Sequence, residues 1–183
     1  MSSKETSNRE DALDFFSESL FSLFGVHSPA RGNPGASLVY FHPLLPPIRS
    51  SSQKGPDEDA QIVFEIPNHD GANTKLFAHL QWDAGWELAN EIVACAAQGQ
   101  PSQWADVRGK SCVEVGAGTG LPSLVAHRLG AHRVVVTDYP DEGILSKLRR
   151  NSTGQAANLM QDTPIVVAGL SWGDSDQERS VHA

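Results

Sequence analysis

The sequence has few cysteines, few basic residues and no long apolar run. The only two cysteines in 183 residues are Cys95 and Cys112, so neither a disulfide framework nor a zinc cluster organises the chain. No run approaches the roughly 18 apolar residues of a membrane span. Lys and Arg total 14 against 22 Asp and Glu, and the net charge of −8 disfavours nucleic acid and anionic membranes as partners. Because no secretory signal opens the sequence, we expect a cytoplasmic protein.

Composition divides the chain into four regions. Residues 1–27 hold an amphipathic pattern that predicts a helix over 9–24. Residues 28–60 are rich in Pro, Ser and Gly, which predicts an irregular arm or linker. Residues 61–174 carry the patterns of regular secondary structure. Residues 175–183 form a charged tail that we expect to be disordered.

Two elements are predicted before the main α/β region. Alternating apolar residues predict a strand over 61–66, which ends at Pro67. Asp83 is placed to cap a helix over 84–98. Within the arm, the apolar segment 38–41 predicts a local contact with the domain.

From residue 111 onward, short apolar strands alternate with helices. The predicted elements are a strand over 111–115, a helix over 122–129, a strand over 133–137, a helix over 141–153 and a strand over 164–168. Strands joined by crossover helices pair in parallel with right-handed connections. The sequence therefore predicts an α/β fold with three parallel strands.

The strongest chemical signal is the glycine loop, residues 116–120, which has the sequence Gly-Ala-Gly-Thr-Gly and follows the first parallel strand. Asp138 ends the second strand, where a carboxylate can accept hydrogen bonds from both hydroxyls of a ribose. A dinucleotide-binding motif needs a third glycine at the position of Leu121. The spacing from Glu114, Glu-x-Gly-x-Gly-x-Gly, instead favours a nucleoside with an amino-acid tail, and a dehydrogenase is the weaker alternative.

At these residues the sequence resembles the class I S-adenosylmethionine-dependent methyltransferases of the family 16 type. The resemblance covers about residues 61–174 and is carried, in family order, by His-Leu-Gln-Trp-Asp-Ala-Gly at 79–85, the glycine motif at 114–122, Val-Val-Thr-Asp-Tyr-Pro-Asp at 135–141 and Trp172-Gly173. Within that family it is similar to the fungal nicotinamide N-methyltransferase-like proteins. Relatives of those proteins methylate the N-terminus and a nearby lysine of elongation factor 1-alpha.

The resemblance implies S-adenosyl-L-methionine as the cofactor and assigns candidate residues to it. It implies that Trp82 contacts the cofactor, that Asp138 holds the ribose and that Trp172 borders the adenine. The candidate cofactor-binding residues are Trp82, Glu114, Gly116, Ala117, Gly118, Gly120, Asp138 and Trp172. No catalytic residue is assigned, and no histidine or cysteine spacing indicates a metal site. Gln81 departs from the apolar residue that is usual before the tryptophan.

The implied reaction is methyl transfer to an amine. The acceptor is a protein lysine, a protein N-terminus or a small molecule, including one of fungal secondary metabolism. The family fold is Rossmann-like with seven strands, but only three are found after residue 111. We therefore expect the first half of that fold in a C-terminally truncated chain, with self-association through the open edge of strand 111–115. The alternative function is an inactive or regulatory half-domain that binds cofactor without transferring a methyl group.

Overall fold

The computed structural model describes residues 30–46, 60–69, 71, 77–98, 104–156 and 165–182. The helix predicted over 9–24 lies outside these residues. The strands are β1 (Ala30–Arg31), β2 (Ser37–Phe41), β3 (Gln61–Glu65), β4 (Gln81–Trp82), β5 (Ser111–Glu114), β6 (Arg133–Asp138) and β7 (Val166–Gly169). The helices are α1 (Asp83–Gln98), α2 (Leu121–Arg128), α3 (Glu142–Ala156) and α4 (Ser175–His182). None of the described helices is long and apolar enough to cross a membrane.

The main sheet is parallel, with the strand order β5-β6-β7. Helix α2 connects β5 to β6, and α3 connects β6 to β7, as the alternating pattern predicts. The prediction of three parallel strands is therefore confirmed, with strand and helix ends shifted by at most three residues. Strand β6 is buried along nearly its whole length because it has a neighbour on both edges. Among the described residues, β5 pairs only with β6.

The two faces of this sheet have different surroundings. Val134 and Val136 point into the hydrophobic core, which also includes side chains from α1, α2 and α3. Val113, Val135 and Val166 are in register across the opposite face. Val113 is 51% exposed and Val166 is 40% exposed, so this face is only partly covered by the described part of the chain.

We predict that the exposed face and edge of β5 drive self-association. Replacing Val113 with lysine places a charge on an edge strand, which disfavours pairing with another chain. Sedimentation velocity over a concentration series is expected to show association of the unsubstituted chain and less association of Val113→Lys. The matched control is Val39→Lys, because Val39 is about equally exposed, at 49%, on a separate sheet. The prediction would be contradicted if Val39→Lys reduced self-association and Val113→Lys did not.

Part of the region predicted as an irregular arm is a regular strand, and that prediction is wrong for β2. Strand β2 pairs antiparallel with β3, with Tyr40 opposite Ile62. Tyr40 and Leu45 are fully buried in the core, whereas Phe41 is exposed. The expected contact of segment 38–41 with the domain is confirmed. Prolines and glycines on both sides hid a short strand whose inward and outward residues alternate in the usual way.

Strand β1 pairs with β4, the two-residue strand that directly precedes α1. It pairs antiparallel with β4, so that Ala30 lies opposite Trp82. Arg31 donates from Nε to Oδ1 of Asp83 at 2.5 Å, and its guanidinium lies 4.5 Å from the ring centre of Trp86. Both ion-pair partners are partly exposed, so the pair adds little stability. Its effect is to hold β1 against the start of α1.

The prediction of a disordered tail over 175–183 is also wrong. Residues 175–182 form α4, which follows Asp174. Oδ1 of Asp174 accepts hydrogen bonds from the backbone N–H groups of Asp176 and Gln177, both at 3.1 Å, as in a helix N-cap. Oε1 of Gln177 accepts from the N–H of Ser171 at 2.7 Å. The Asp-x-x-Gln spacing resembles a capping box, a signal that the charged composition concealed.

Candidate functional site

A cavity of about 250 Å³ lies between the glycine loop, the carboxyl ends of β5 and β6, and the start of α1. In parallel α/β sheets, ligands bind at the carboxyl ends of the strands. Six of the eight candidate residues line this cavity: Trp82, Glu114, Gly116, Ala117, Gly118 and Asp138. The structure thus brings together residues that are up to 56 positions apart in the sequence.

The other two candidates do not line the cavity. Gly120 precedes α2 with φ +78°, and its N–H donates to the carbonyl of Ala117 at 2.8 Å. A Cβ atom there would lie 3.1 Å from Leu148, so Gly120 shapes the turn and packs against the core. Trp172 lies three residues after β7 and is 82% exposed. Its predicted contact with adenine remains a prediction.

Two glycines of the loop leave open space beside the backbone. Gly116 has φ +63° and Gly118 has φ +55°, in the left-handed region that side chains disfavour. Apart from the adjoining residues of the loop, no atom of the described part of the chain lies within 4 Å of the position of a Cβ at either residue. A ligand can therefore approach this backbone closely. The N–H of Ala117 donates to the carbonyl of Thr137 at 3.0 Å, which anchors the loop to β6.

Asp138 is the last residue of β6 and is held by two backbone donors. Its Oδ2 accepts from the N–H of Gly118 at 2.7 Å, and its Oδ1 accepts from the N–H of Tyr139 at 2.7 Å. Each carboxylate oxygen can accept more than one hydrogen bond. Asp138 is therefore oriented toward the cavity with acceptor capacity left for a ligand.

Glu114, the last residue of β5, places a second carboxyl group in the cavity wall. Its Oε2 accepts from the N–H of Ser123 in the first turn of α2 at 2.9 Å. The pKa of Glu114 is raised to about 7, chiefly by burial, while hydrogen bonding to Ser123 lowers it and the nearby carboxylate of Asp138 adds a smaller rise. The group therefore changes charge near neutral pH.

We predict a pH dependence of stability that originates at Glu114. Because its pKa is higher in the folded chain than in the unfolded chain, the folded state binds the proton more tightly. The contribution of the protonated group is complete below about pH 4.5 and is lost as the pH rises through about 7. The free energy of unfolding should fall by about 1–3 kcal/mol from this group across that window. Urea unfolding of Glu114→Gln should lack this component.

The matched control for this prediction is Glu142→Gln. Glu142 is an exposed acid whose carboxylate pairs with Arg149 at the protein surface. Its substitution removes one negative charge without altering a buried group. The control should keep the same pH profile as the unsubstituted chain between pH 5 and pH 8. An unchanged profile in Glu114→Gln would show that the pH dependence has another origin.

An aromatic pair forms part of the cavity wall. Nε1 of Trp82 donates to the carbonyl of Phe77 at 3.2 Å, and the two rings meet edge to face with centres 6.2 Å apart. Phe77 has φ +55°, the only positive φ of a non-glycine residue among those described. Such backbone strain in a bulky residue often marks a functional site. Sequence reasoning missed Phe77 because a left-handed phenylalanine has no sequence signal.

Two further lining residues, Gln81 and Thr119, were not predicted as site residues. Both are buried, and the hydroxyl of Thr119 donates to Oε1 of Gln81. Gln81 departs from the expected apolar residue, and this hydrogen bond explains how the chain accommodates a buried amide there. Because each partner is polar and lies in a different element, only the tertiary structure reveals the pair.

The chain matches a known protein family over most of its length. The lysine methyltransferase family matches residues 61–183. The chain belongs to this family. The match reaches nine residues beyond the predicted boundary at 174 and so includes α4. A mixed α/β structure with a parallel sheet is consistent with a methyltransferase fold.

Several curated fungal proteins are similar to this chain. Each of them is named "protein N-terminal and lysine N-methyltransferase efm7". The relative from Schizosaccharomyces pombe is 40% identical over 164 residues, which are 86% of the chain and 54% of the relative. The relative from Aspergillus fumigatus is 38% identical over 99 residues, 54% of the chain and 36% of the relative. The relative from Yarrowia lipolytica is 40% identical over 120 residues, 58% of the chain and 41% of the relative. The chain thus spans about half the length of these relatives or less.

Proposed function

We propose that the chain binds S-adenosylmethionine and takes part in methyl transfer to a protein amine, either a lysine side chain or an N-terminus. Its family membership and the names of its relatives support this reaction class. They favour a protein acceptor over the small-molecule alternative. The cofactor assignment rests on the resemblance, because methyltransferases of this type generally use S-adenosylmethionine.

The observation that carries the proposal is the charge of the cavity wall. Two carboxyl groups, those of Glu114 and Asp138, line the cavity, and no lysine, arginine or histidine is among the described residues that line it. S-adenosylmethionine carries a positive sulfonium and a positive ammonium group, and these are attracted by carboxylates and by aromatic faces. The described lining residues offer no basic side chain to the pyrophosphate of a dinucleotide. The cavity therefore favours the methyl donor over NAD.

The lining residues suit separate parts of this cofactor. Asp138 would accept hydrogen bonds from the ribose hydroxyls. The backbone of Gly116 and Gly118 would allow close approach of the amino-acid tail, because no side chain intervenes. Trp82 and Phe77 would cover an apolar or cationic part and exclude water. When bound, the cofactor supplies an activated methyl group, and the protein contributes binding and orientation.

We predict that S-adenosylhomocysteine binds the chain more tightly than NAD does in isothermal titration. The site is tested by Gly116→Ala, which adds a methyl group at the cavity wall and should weaken binding about tenfold or more. Gly109→Ala is the matched control, since Gly109 also has positive φ and open space around its Cβ position but does not line the cavity. Both substitutions carry similar backbone strain, so only Gly116→Ala should affect affinity. Tighter binding of NAD would contradict the proposed function.

The acceptor is tested with radiolabelled S-adenosylmethionine and matched peptides. One peptide has a free N-terminus and a nearby lysine, a second is N-acetylated, and a third has arginine in place of the lysine. Label in the second peptide indicates lysine transfer, and label in the third indicates N-terminal transfer. Cofactor binding without label in any peptide would favour the regulatory half-domain over the enzyme.

A further inference from the structure

Asn151 connects three backbone groups from two distant segments. It lies on α3, is buried and does not line the cavity. Its Nδ2 donates to the carbonyl of Glu65 at 3.0 Å and to the carbonyl of Thr119 at 2.9 Å. Its Oδ1 accepts from the N–H of Glu65 at 2.8 Å. Both amide hydrogens and the amide oxygen are therefore used, and the end of β3 is tied to the glycine loop.

The same hydrogen-bonded series continues from Thr119 to the opposite wall of the cavity. The hydroxyl of Thr119 donates to Oε1 of Gln81, and Nε2 of Gln81 donates to the carbonyl of Trp82 at 2.8 Å. Asn151, Thr119 and Gln81 are all buried. A polar series that is buried and hydrogen-bonded holds its members in one arrangement. We call Asn151, Thr119 and Gln81 the loop relay.

The loop relay acts on a backbone segment that is rich in glycine. Residues 116, 118 and 120 are glycines, and a glycine-rich loop loses much conformational freedom when it becomes ordered. Thr119 is fixed at both its carbonyl and its hydroxyl. It follows Gly118, whose N–H meets the carboxylate of Asp138. Ordering the loop before the ligand arrives lowers the entropic cost of binding.

We infer that Asn151 is a positioning residue that holds the glycine loop in its ligand-binding conformation through Thr119, and that Gln81 completes this restraint from the opposite cavity wall. The inference rests on the proposed function as far as the ligand is concerned. It does not require Asn151 to touch the ligand. A residue that only stabilised the fold would affect melting without a selective effect on the loop.

The test compares Asn151→Ala with Asn90→Ala in the full chain. Asn90 accepts a hydrogen bond from the hydroxyl of buried Tyr40 and donates to Glu87, so its removal also disrupts side-chain hydrogen bonds near the core, but away from the loop. Thermal melting measures the loss of global stability in each variant. Hydrogen exchange at the amides of Gly118 and Gly120, which both donate within the site, monitors the loop. Titration with S-adenosylhomocysteine monitors binding.

In Asn151→Ala, exchange at these two amides is expected to be at least about tenfold faster than in Asn90→Ala, after correction for global stability. The dissociation constant for S-adenosylhomocysteine should rise about tenfold, and that of Asn90→Ala should change by less than about twofold. Equal exchange and equal affinity in the two variants would overturn the inference. If the unsubstituted chain does not bind S-adenosylhomocysteine, the proposed function fails, and the exchange comparison still decides the role of Asn151.

Milder variants test the contact between Thr119 and Gln81 even if Asn151→Ala does not fold. Thr119→Val and Gln81→Met each remove one side of the hydroxyl–amide contact while preserving approximate side-chain volume. If the contact restrains the loop, the double variant should raise exchange at Gly118 by less than the product of the two single effects. Independent, fully multiplicative effects would overturn the part assigned to Gln81.

Discussion

Asp138→Ala is expected to weaken the binding of S-adenosylhomocysteine by roughly 30- to 700-fold, corresponding to about 2–4 kcal/mol. The substitution removes the acceptor proposed for two ribose hydroxyls. It also removes the carboxylate partners of the Gly118 and Tyr139 N–H groups, so the loop loses an anchor at the same time. Isothermal titration gives the dissociation constant directly.

A matched pair separates the loss of charge from the loss of the ribose acceptor. Asp138→Asn and Asp141→Asn each remove one negative charge within a three-residue interval. Asp141 lies just before α3, and its Oδ1 accepts from the N–H of Gly143 at 2.8 Å, a contact that an asparagine oxygen can retain. Only Asp138→Asn should lose at least tenfold in affinity. Equal losses in the two variants would show that general electrostatics, and not the proposed ribose contact, governs binding.

Tyr40→Ala is expected to cost about 3–5 kcal/mol of unfolding free energy, a large part of the stability of a domain. Tyr40 is completely buried, its ring meets Trp86 edge to face at 5.1 Å, and its hydroxyl donates to Oδ1 of Asn90 at 3.1 Å. The substitution leaves a cavity where β2 meets α1. Urea unfolding of the chain measures the loss.

Two variants divide this loss into its causes. Tyr40→Phe removes only the hydroxyl and should cost about 1 kcal/mol. Phe41→Ala removes a similar ring from the next position, where the side chain is 46% exposed, and should cost much less than Tyr40→Ala. If the two alanine variants were equally destabilised, β2 would not contribute to the core in the way its burial indicates.

Local patterns predicted the elements whose signals are continuous. The valine-rich strand β6 and helix α1 follow from apolar periodicity. Strand β2 was missed because its five residues stand among turn-forming residues, and its pairing partner β3 lies about 20 residues farther along the chain. Helix α4 was missed because its charged composition outweighed the capping signal at Asp174. Composition is therefore a poor guide where pairing or a cap determines the structure.

The residues of the site likewise fall into those that the sequence predicted and those that only the structure revealed. Glu114, the glycine loop and Asp138 follow from spacing, because a strand-loop-helix unit brings its own residues to one edge of the sheet. Phe77 has a left-handed backbone, and its carbonyl accepts a hydrogen bond from the indole N–H of Trp82. Asn151 and Gln81 both form hydrogen bonds to Thr119, which lies 32 and 38 positions away from them in the sequence. No local spacing contains this information.

By itself, the sequence determined the α/β class, the three parallel strands and the glycine loop with its acid, because each depends on short-range patterns and on residue types that the backbone requires. Family membership agrees with these features. Only the tertiary structure decided which residues complete the cavity, which of the candidates stay outside it and how the loop is restrained. The physical reason is that burial and hydrogen-bond partners are set by contacts between distant segments, such as those that join Glu65, Thr119 and Asn151.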